Sequence, residues 1–132
     1  IEDQVAQSNL TFKYHLPDEK IILLLDGQRT YRVFENLLNN ALKYAMPYTR
    51  VYVDVLKTER DVKVIFRNVS AEELPYEADA LTERFVRGDA SRQSEGSGLG
   101  LAIAKSFVEL QNGKFNIEVD GDLFKATITW PI

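Results

Sequence analysis

The sequence contains no cysteine. Disulfides and thiolate metal sites are therefore excluded, and the composition suits a reducing compartment. Histidine occurs once, as His15, so imidazoles alone cannot build a zinc site. No apolar stretch approaches the length of a membrane span, the longest aliphatic run being residues 21–25. No signal peptide is legible. Positive charge is in deficit: 16 Lys and Arg against 20 Asp and Glu leave a formal charge of −4. That opposes a general nucleic-acid binder. It leaves room for a small anionic ligand, because a local basic cluster can act against the global sign. Repeats, low-complexity tracts and linkers are absent. The first residue is Ile rather than Met, so the chain is expected to be a piece of a longer protein.

What is present is the composition of one globular domain, residues 1–132, with 45% hydrophobic and 27% charged residues. Residues 10–16 alternate as a strand, residues 17–18 read as a turn, and residues 21–25 read as a second, buried strand-like run. A helix is predicted over residues 28–45. Its apolar positions Phe34, Leu37, Leu38, Ala41, Leu42 and Ala45 recur at helical spacing, and Pro47 stops it. A hairpin follows, with strands around residues 51–55 and 62–66 and a turn at 58–61. Residues 67–97 show little periodicity beyond one short helix near 79–85, the signature of a lid or loop. A second long helix is predicted from Gly98 to about Gln111, with Leu99, Ala102, Ile103, Phe107 and Leu110 on one face and Asn112-Gly113 as its cap. A hairpin closes the chain, with strands at 114–119 and 123–130. Helices and strands segregate into two layers. The expected fold is α+β, a two-layer sandwich with a mixed sheet and about three helices on one face.

Three stretches carry chemistry. On the first helix Asn36, Asn40 and Lys43 form a polar stripe, read as lying opposite the apolar set. By itself such a stripe is first of all a solvated face. Asparagine is nevertheless a mediocre helix former, and a side-chain carbonyl oxygen is a good ligand for Mg²⁺ shared with phosphates. Gly96, Gly98 and Gly100 alternate at the start of the second helix. Bare backbone and unpaired N–H groups there favour a phosphate, although a plain helix entry reads equally well. No Walker A or dinucleotide pattern is present. Between the two, Arg84, Arg87 and Arg92 flank Phe85 in a basic segment; in isolation it reads first as an exposed charged loop with internal Asp-Arg pairs, although its guanidinium forks match phosphate oxygens.

In their order, these stretches resemble the histidine-kinase branch of the ATPase superfamily that also holds gyrase B, Hsp90 and MutL, over about residues 10–131. Residues 36–44 look like its N box, 83–89 like its F box and 96–105 like its G2 box. The resemblance implies the Bergerat ATP-binding fold, and ATP with Mg²⁺ as cofactors. It places Asn40 on the metal and Asn36 beside it. Lys43 and Tyr44 face the nucleotide, Arg84 and Arg87 reach from the lid, and Arg87 meets the γ-phosphate. Gly96, Ser97, Gly98, Leu99, Gly100 and Leu101 wrap the triphosphate. Asn36, Lys43 and Arg87 are the catalytic candidates. The family's Asp-x-Gly-x-Gly motif departs here, with Asn68 for the Asp that holds adenine and Ser70 for the first Gly. Asn36 also stands where other branches carry a carboxylate base, which opposes rapid hydrolysis.

The implied role is delivery of the ATP γ-phosphate to a histidine on a separate dimerisation domain, with a response regulator downstream, in the cytoplasmic part of a membrane-anchored bacterial sensor. No nucleic acid and no direct membrane contact are expected of this chain. His15 reads as an ordinary strand residue rather than a phosphoacceptor. A nucleotide-binding scaffold without kinase activity is the alternative.

Overall fold

The computed structural model describes residues 6–72 and 99–132. Its elements run β1 (Thr11–His15), α1 (Gly27–Tyr44), β2 (Arg50–Lys57), β3 (Asp61–Val69), α2 (Leu99–Glu109), β4 (Lys114–Asp120) and β5 (Leu123–Pro131). The strands form one sheet in the order β1-β2-β3-β5-β4. β1 pairs with β2 in parallel and every other pair is antiparallel, so the sheet is mixed, as expected. Two helices lie among the described residues rather than about three. The helix expected near residues 79–85 falls outside the described residues.

Alternation along the strands decides which face is covered. In β3, Val62, Val64, Phe66 and Asn68 are buried while Arg67 is exposed. Register carries this pattern across the sheet: Val53 opposes Phe66, and Phe66 opposes Ala126. This inner row meets Val33 and Leu37 of α1 and Leu101, Ala104 and Val108 of α2 in one core. Each fully buried Leu, Ile or Val contributes about 1.5–3 kcal/mol, so this apolar contact holds the two layers together. Phe34 fills the middle, 6.3 Å from Phe66 and 6.1 Å edge-on to Trp130, measured between ring centroids.

Four sequence expectations need correction. Residues 21–25 belong to no strand: Ile21, Leu23 and Leu25 are partly covered, while Ile22 and Leu24 are 77% and 104% exposed. Leu23 and Leu25 pack on the core, so the run is covered on one side and not on both. β3 continues to Val69 where an irregular segment was expected, since Arg67 and Asn68 prolong its outer and inner alternation. The buried face of α1 is Val33, Leu37, Asn40 and Ala41, displaced from the predicted stripe towards Asn40. On α2 the core takes Leu101, Ala104 and Val108, whereas Leu110 is 62% exposed. That helix is apolar on more than one side, so periodicity alone does not select its face.

Candidate functional site

Asp26 starts α1. Its carboxylate accepts from the Arg29 backbone N–H at 3.1 Å, and its own N–H donates to Gln111 Oε1 at 2.6 Å. The helix stops at Ala45, whose backbone is extended at φ −68° and ψ 145°. From there the chain is pinned to the end of β3. Met46 N–H donates to Val69 O at 2.8 Å, Ala71 N–H donates to Tyr44 O at 2.9 Å, and Ala45 bridges Ser70. The last turns of α1 and the end of β3 are thus fastened side by side.

The buried polar residues gather at this same end. Among the described residues they are Asn40 at 8% exposure, Asn68 at 6% and Ser70 at 3%. An amide removed from water costs about 1–3 kcal/mol unless it is hydrogen-bonded, so a core without a polar purpose has no reason to place amides together. Ser70 has a structural role as well, its hydroxyl accepting from Glu72 N–H at 3.2 Å. It is also buried where its backbone bridges to Ala45.

The second helix joins the site through Asn36. Its Nδ2 donates to Gly100 O at 3.2 Å, which fixes the amide orientation and leaves Oδ1 as an acceptor. At Gly100 an added Cβ would lie 3.5 Å from both Cβ and Cγ of Asn36. The glycine-bearing start of α2 therefore abuts the asparagine-bearing side of α1. Lys43 is exposed, with its ammonium 5.2 Å from the Tyr44 ring centroid.

Of the sequence candidates, Asn36, Asn40, Lys43, Tyr44, Asn68 and Gly100 are thus gathered by α1, the end of β3 and the start of α2. Two features differ from expectation. Asn40 is not opposite the apolar face but within it, between Val33, Leu37 and Ala41. Leu101 is 1% exposed and seats α2 in the core instead of lining an open site. Leu99 opens α2. Arg84, Arg87, Gly96, Ser97 and Gly98 lie outside the described residues.

A polar group that sequence reasoning missed sits on the uncovered face of the sheet. Asp54 accepts from Arg67 Nη2 at 2.8 Å and meets His15 Nδ1 at 2.7 Å. The Arg67 guanidinium lies 5.0 Å from the Tyr52 ring centroid, and His15 stacks on the same ring at 6.4 Å. Only the cross-strand register brings these residues together, and no local motif announces it.

Comparison with known proteins identifies the family and the fold. Residues 25–132 match the family described as "Histidine kinase-, DNA gyrase B-, and HSP90-like ATPase". Sensor protein kinase WalK of Staphylococcus haemolyticus (strain JCSC1435) is 32% identical over 136 residues, covering 97% of this chain and 22% of WalK. The chain likewise spans 21% of the E. coli probable sensor protein PcoS, about a fifth of each relative. Among solved structures, the catalytic domain of histidine kinase ThkA superposes with a TM-score of 0.79 at 21% identity, over 98% of this chain and 84% of that one. Full-length ShkA in complex with AMPPNP superposes with a TM-score of 0.76 at 18% identity, over 96% of this chain and 26% of that one. The chain belongs to the histidine kinase-, DNA gyrase B- and HSP90-like ATPase family.

Proposed function

We propose that this chain binds ATP with Mg²⁺ and serves as the catalytic domain of a two-component sensor histidine kinase, transferring the γ-phosphoryl group to a histidine on a separate helical dimerisation domain. The observation that carries the reading is the convergence of buried Asn40 and Asn68 at the end where α1 is fastened to β3. The donor set fits the metal. Among the described residues no group of three His, Cys, Asp or Glu forms a metal cage. A neutral amide oxygen from Asn40 is the kind of single protein ligand that Mg²⁺ takes when phosphates complete its shell. When bound, Mg²⁺ offsets the charge of the β- and γ-phosphates.

The chain's own residues supply position. Asn36, held on Gly100 O, keeps α1 and α2 at a fixed separation. Lys43 brings an ammonium to the phosphates, and Arg84 and Arg87 bring guanidinium forks. Gly96, Ser97, Gly98 and Gly100 give the phosphates close access to backbone N–H groups. Asn68 accepts a hydrogen bond from the adenine amino group through its side-chain oxygen. Phosphoryl transfer needs mainly alignment and charge neutralisation, and these groups provide both. In the intact protein a response regulator takes the phosphoryl group onward, and the domain lies on the cytoplasmic side of a membrane-anchored sensor.

Calorimetric titration of ATP with Mg²⁺ tests the reading. Saturable binding is expected, with Asn40→Ala weakening the Mg²⁺-dependent part at least tenfold, about 1.4 kcal/mol. The Asn68 and Ser70 substitutions favour one other reading, a scaffold of the same fold. Folded protein that takes up no nucleotide at millimolar concentration establishes that alternative.

A further inference from the structure

The two helices run antiparallel. The start of α1 meets the end of α2, and Asn36, further along α1, meets Gly100 at the start of α2. A polar tie stands at each end. Asn36 Nδ2 donates to Gly100 O at 3.2 Å beside the candidate site. At the far end the tie is Gln111, whose Oε1 accepts from Asp26 N–H at 2.6 Å. Asp26 and Asn36 are ten residues apart, and Gly100 and Gln111 are eleven apart. At 1.5 Å per residue these spans are about 15 and about 16 Å, so the two ties match in spacing.

The amide of Gln111 suits it to this place. α2 closes with a tightened turn, because the Gln111 backbone N–H donates to Val108 O at 3.1 Å. Phe107 O is thereby left without the donor four residues on that a continuing helix would give it. Gln111 Nε2 donates to it instead, at 3.2 Å. The same amide reaches Thr30 Oγ1, which lies 3.3 Å from Nε2 and 3.4 Å from Oε1. One side chain thus finishes the end of α2 and fastens it to the first turn of α1. That double task needs a donor and an acceptor on one stem, which a side-chain amide supplies. The Arg29 guanidinium, 5.8 Å from the Phe107 ring centroid, adds a second contact between the same turns.

We propose that Gln111 is a positioning residue for nucleotide binding: it sets the tilt of α2 against α1, and so the place of the Gly100 backbone at the phosphates. The role rests on the proposed ATP-binding function. Between the two ties α2 rests on the core through Leu101, Ala104 and Val108. Ala104, the middle one and 0% exposed, lies four residues from Gly100 and seven from Gln111. A rigid helix turning about Ala104 has arms of about 6 and about 10 Å, so a shift of about 1 Å at Gln111 returns about 0.6 Å at Gly100. Displacements of that order weaken a site whose groups must be held in place beforehand.

Amide spectra and calorimetry on the 132-residue chain test the two halves of this role separately. In Gln111→Leu the Gly100 amide signal should move without nucleotide, although it lies about 16 Å away along α2. Affinity for ATP with Mg²⁺ should fall at least fivefold in the same variant. Asp26→Ala removes the side chain that caps α1 but keeps the backbone N–H that meets Gln111. There the Gly100 signal should stay in place and affinity should stay within twofold of the parent, so loss of stability alone does not reproduce the effect. Gln111→Glu keeps the acceptor for Asp26 N–H and loses only the donor to Phe107 O. It should unfold more easily than the parent yet bind ATP within twofold of it. An unmoved Gly100 signal in Gln111→Leu, equal affinity losses in Gln111→Leu and Asp26→Ala, or a Gln111→Glu as weak as Gln111→Leu overturns the proposal. Absence of uptake by the parent defeats the proposed function and this role with it, whereas the Gly100 signal, read without ATP, decides the lever on its own.

Discussion

At the scale of single residues, two glycines of the second half of the chain serve opposite purposes. At Gly113 a Cβ would lie 2.7 Å from Val108 Cγ1 and 2.8 Å from Trp130 Cδ1. Both neighbours are buried core atoms, so neither can give way. Gly113→Ala is expected to cost about 1–3 kcal/mol in denaturant unfolding. At Gly100 the nearest atoms to an added Cβ stand at 3.5 Å, an ordinary contact. Gly100→Ala sits in the first turn of a helix and should leave stability unchanged or raise it by up to about 1 kcal/mol. It should nevertheless lower ATP affinity, because the methyl group fills space beside Asn36. A measured loss of stability without any loss of affinity would show that Gly100 serves packing alone. Asn68 allows a third test. Asn68→Asp places a carboxylate at a position 6% exposed. The nucleotide-free variant should melt lower, since a buried charge lacks compensation. ATP with Mg²⁺ should raise its melting temperature by more than it raises that of the parent, since a charged acceptor holds the adenine amino group more strongly. Equal ligand-induced shifts in the two proteins argue that Asn68 does not touch adenine.

At the scale of elements, α1 matters most, because it carries Asn36, Asn40 and Lys43 between two fixed ends. Its start depends on Asp26, whose side chain caps Arg29 N–H and whose backbone is tied to Gln111 at the end of α2. Asp26→Ala should cost about 1 kcal/mol in thermal or denaturant unfolding, the usual worth of such a cap. ATP affinity should change little, since the cap lies ten residues before Asn36. Much of this element was legible in the sequence. The periodicity of Leu37 and Ala41, Asp26-Gly27 before the helix and Pro47 after it bound it to within a residue. The hairpin between β2 and β3 was equally legible, because Thr58 and Asp61 supply their own turn bonds. The helix faces were less legible. α2 carries apolar residues around most of its circumference, and only contact with α1 and the sheet selects Leu101, Ala104 and Val108. Residues 21–25 misled for a related reason. A run of aliphatic residues satisfies the pattern of a buried strand, yet β1 pairs with β2 and this segment has no strand partner. The family was legible as a set of motifs in order. The burial of Asn40 was not, because it follows from where α1 rests on the sheet and not from its own spacing.

At the scale of the whole molecule, the sheet separates two chemistries. Its inner face carries the helices and ends in Asn68. Its outer face carries the Asp54 carboxylate that ties β1 to β3 through His15 and Arg67. His15 pairs with Asp54 in the register of β1 and β2, while Phe12, on the other side of β1, packs with Ala41 and Val51. The only histidine of the chain is therefore on the face of the sheet turned away from α1 and α2. On the proposed function, a γ-phosphate held among Asn40, Lys43 and the start of α2 cannot reach it through the sheet of the same molecule. Its 65% exposure leaves it open to attack from another copy, but its Nδ1 is already engaged by Asp54 at 2.7 Å. Incubation of this chain with radiolabelled ATP and Mg²⁺ should consequently leave no acid-labile label on the protein, at any protein concentration. Addition of a helical dimerisation domain bearing an accessible histidine should produce label on that partner alone. Label on this chain that disappears in His15→Ala would require a phosphoacceptor on the outer sheet face, and would overturn the division of labour between the two faces.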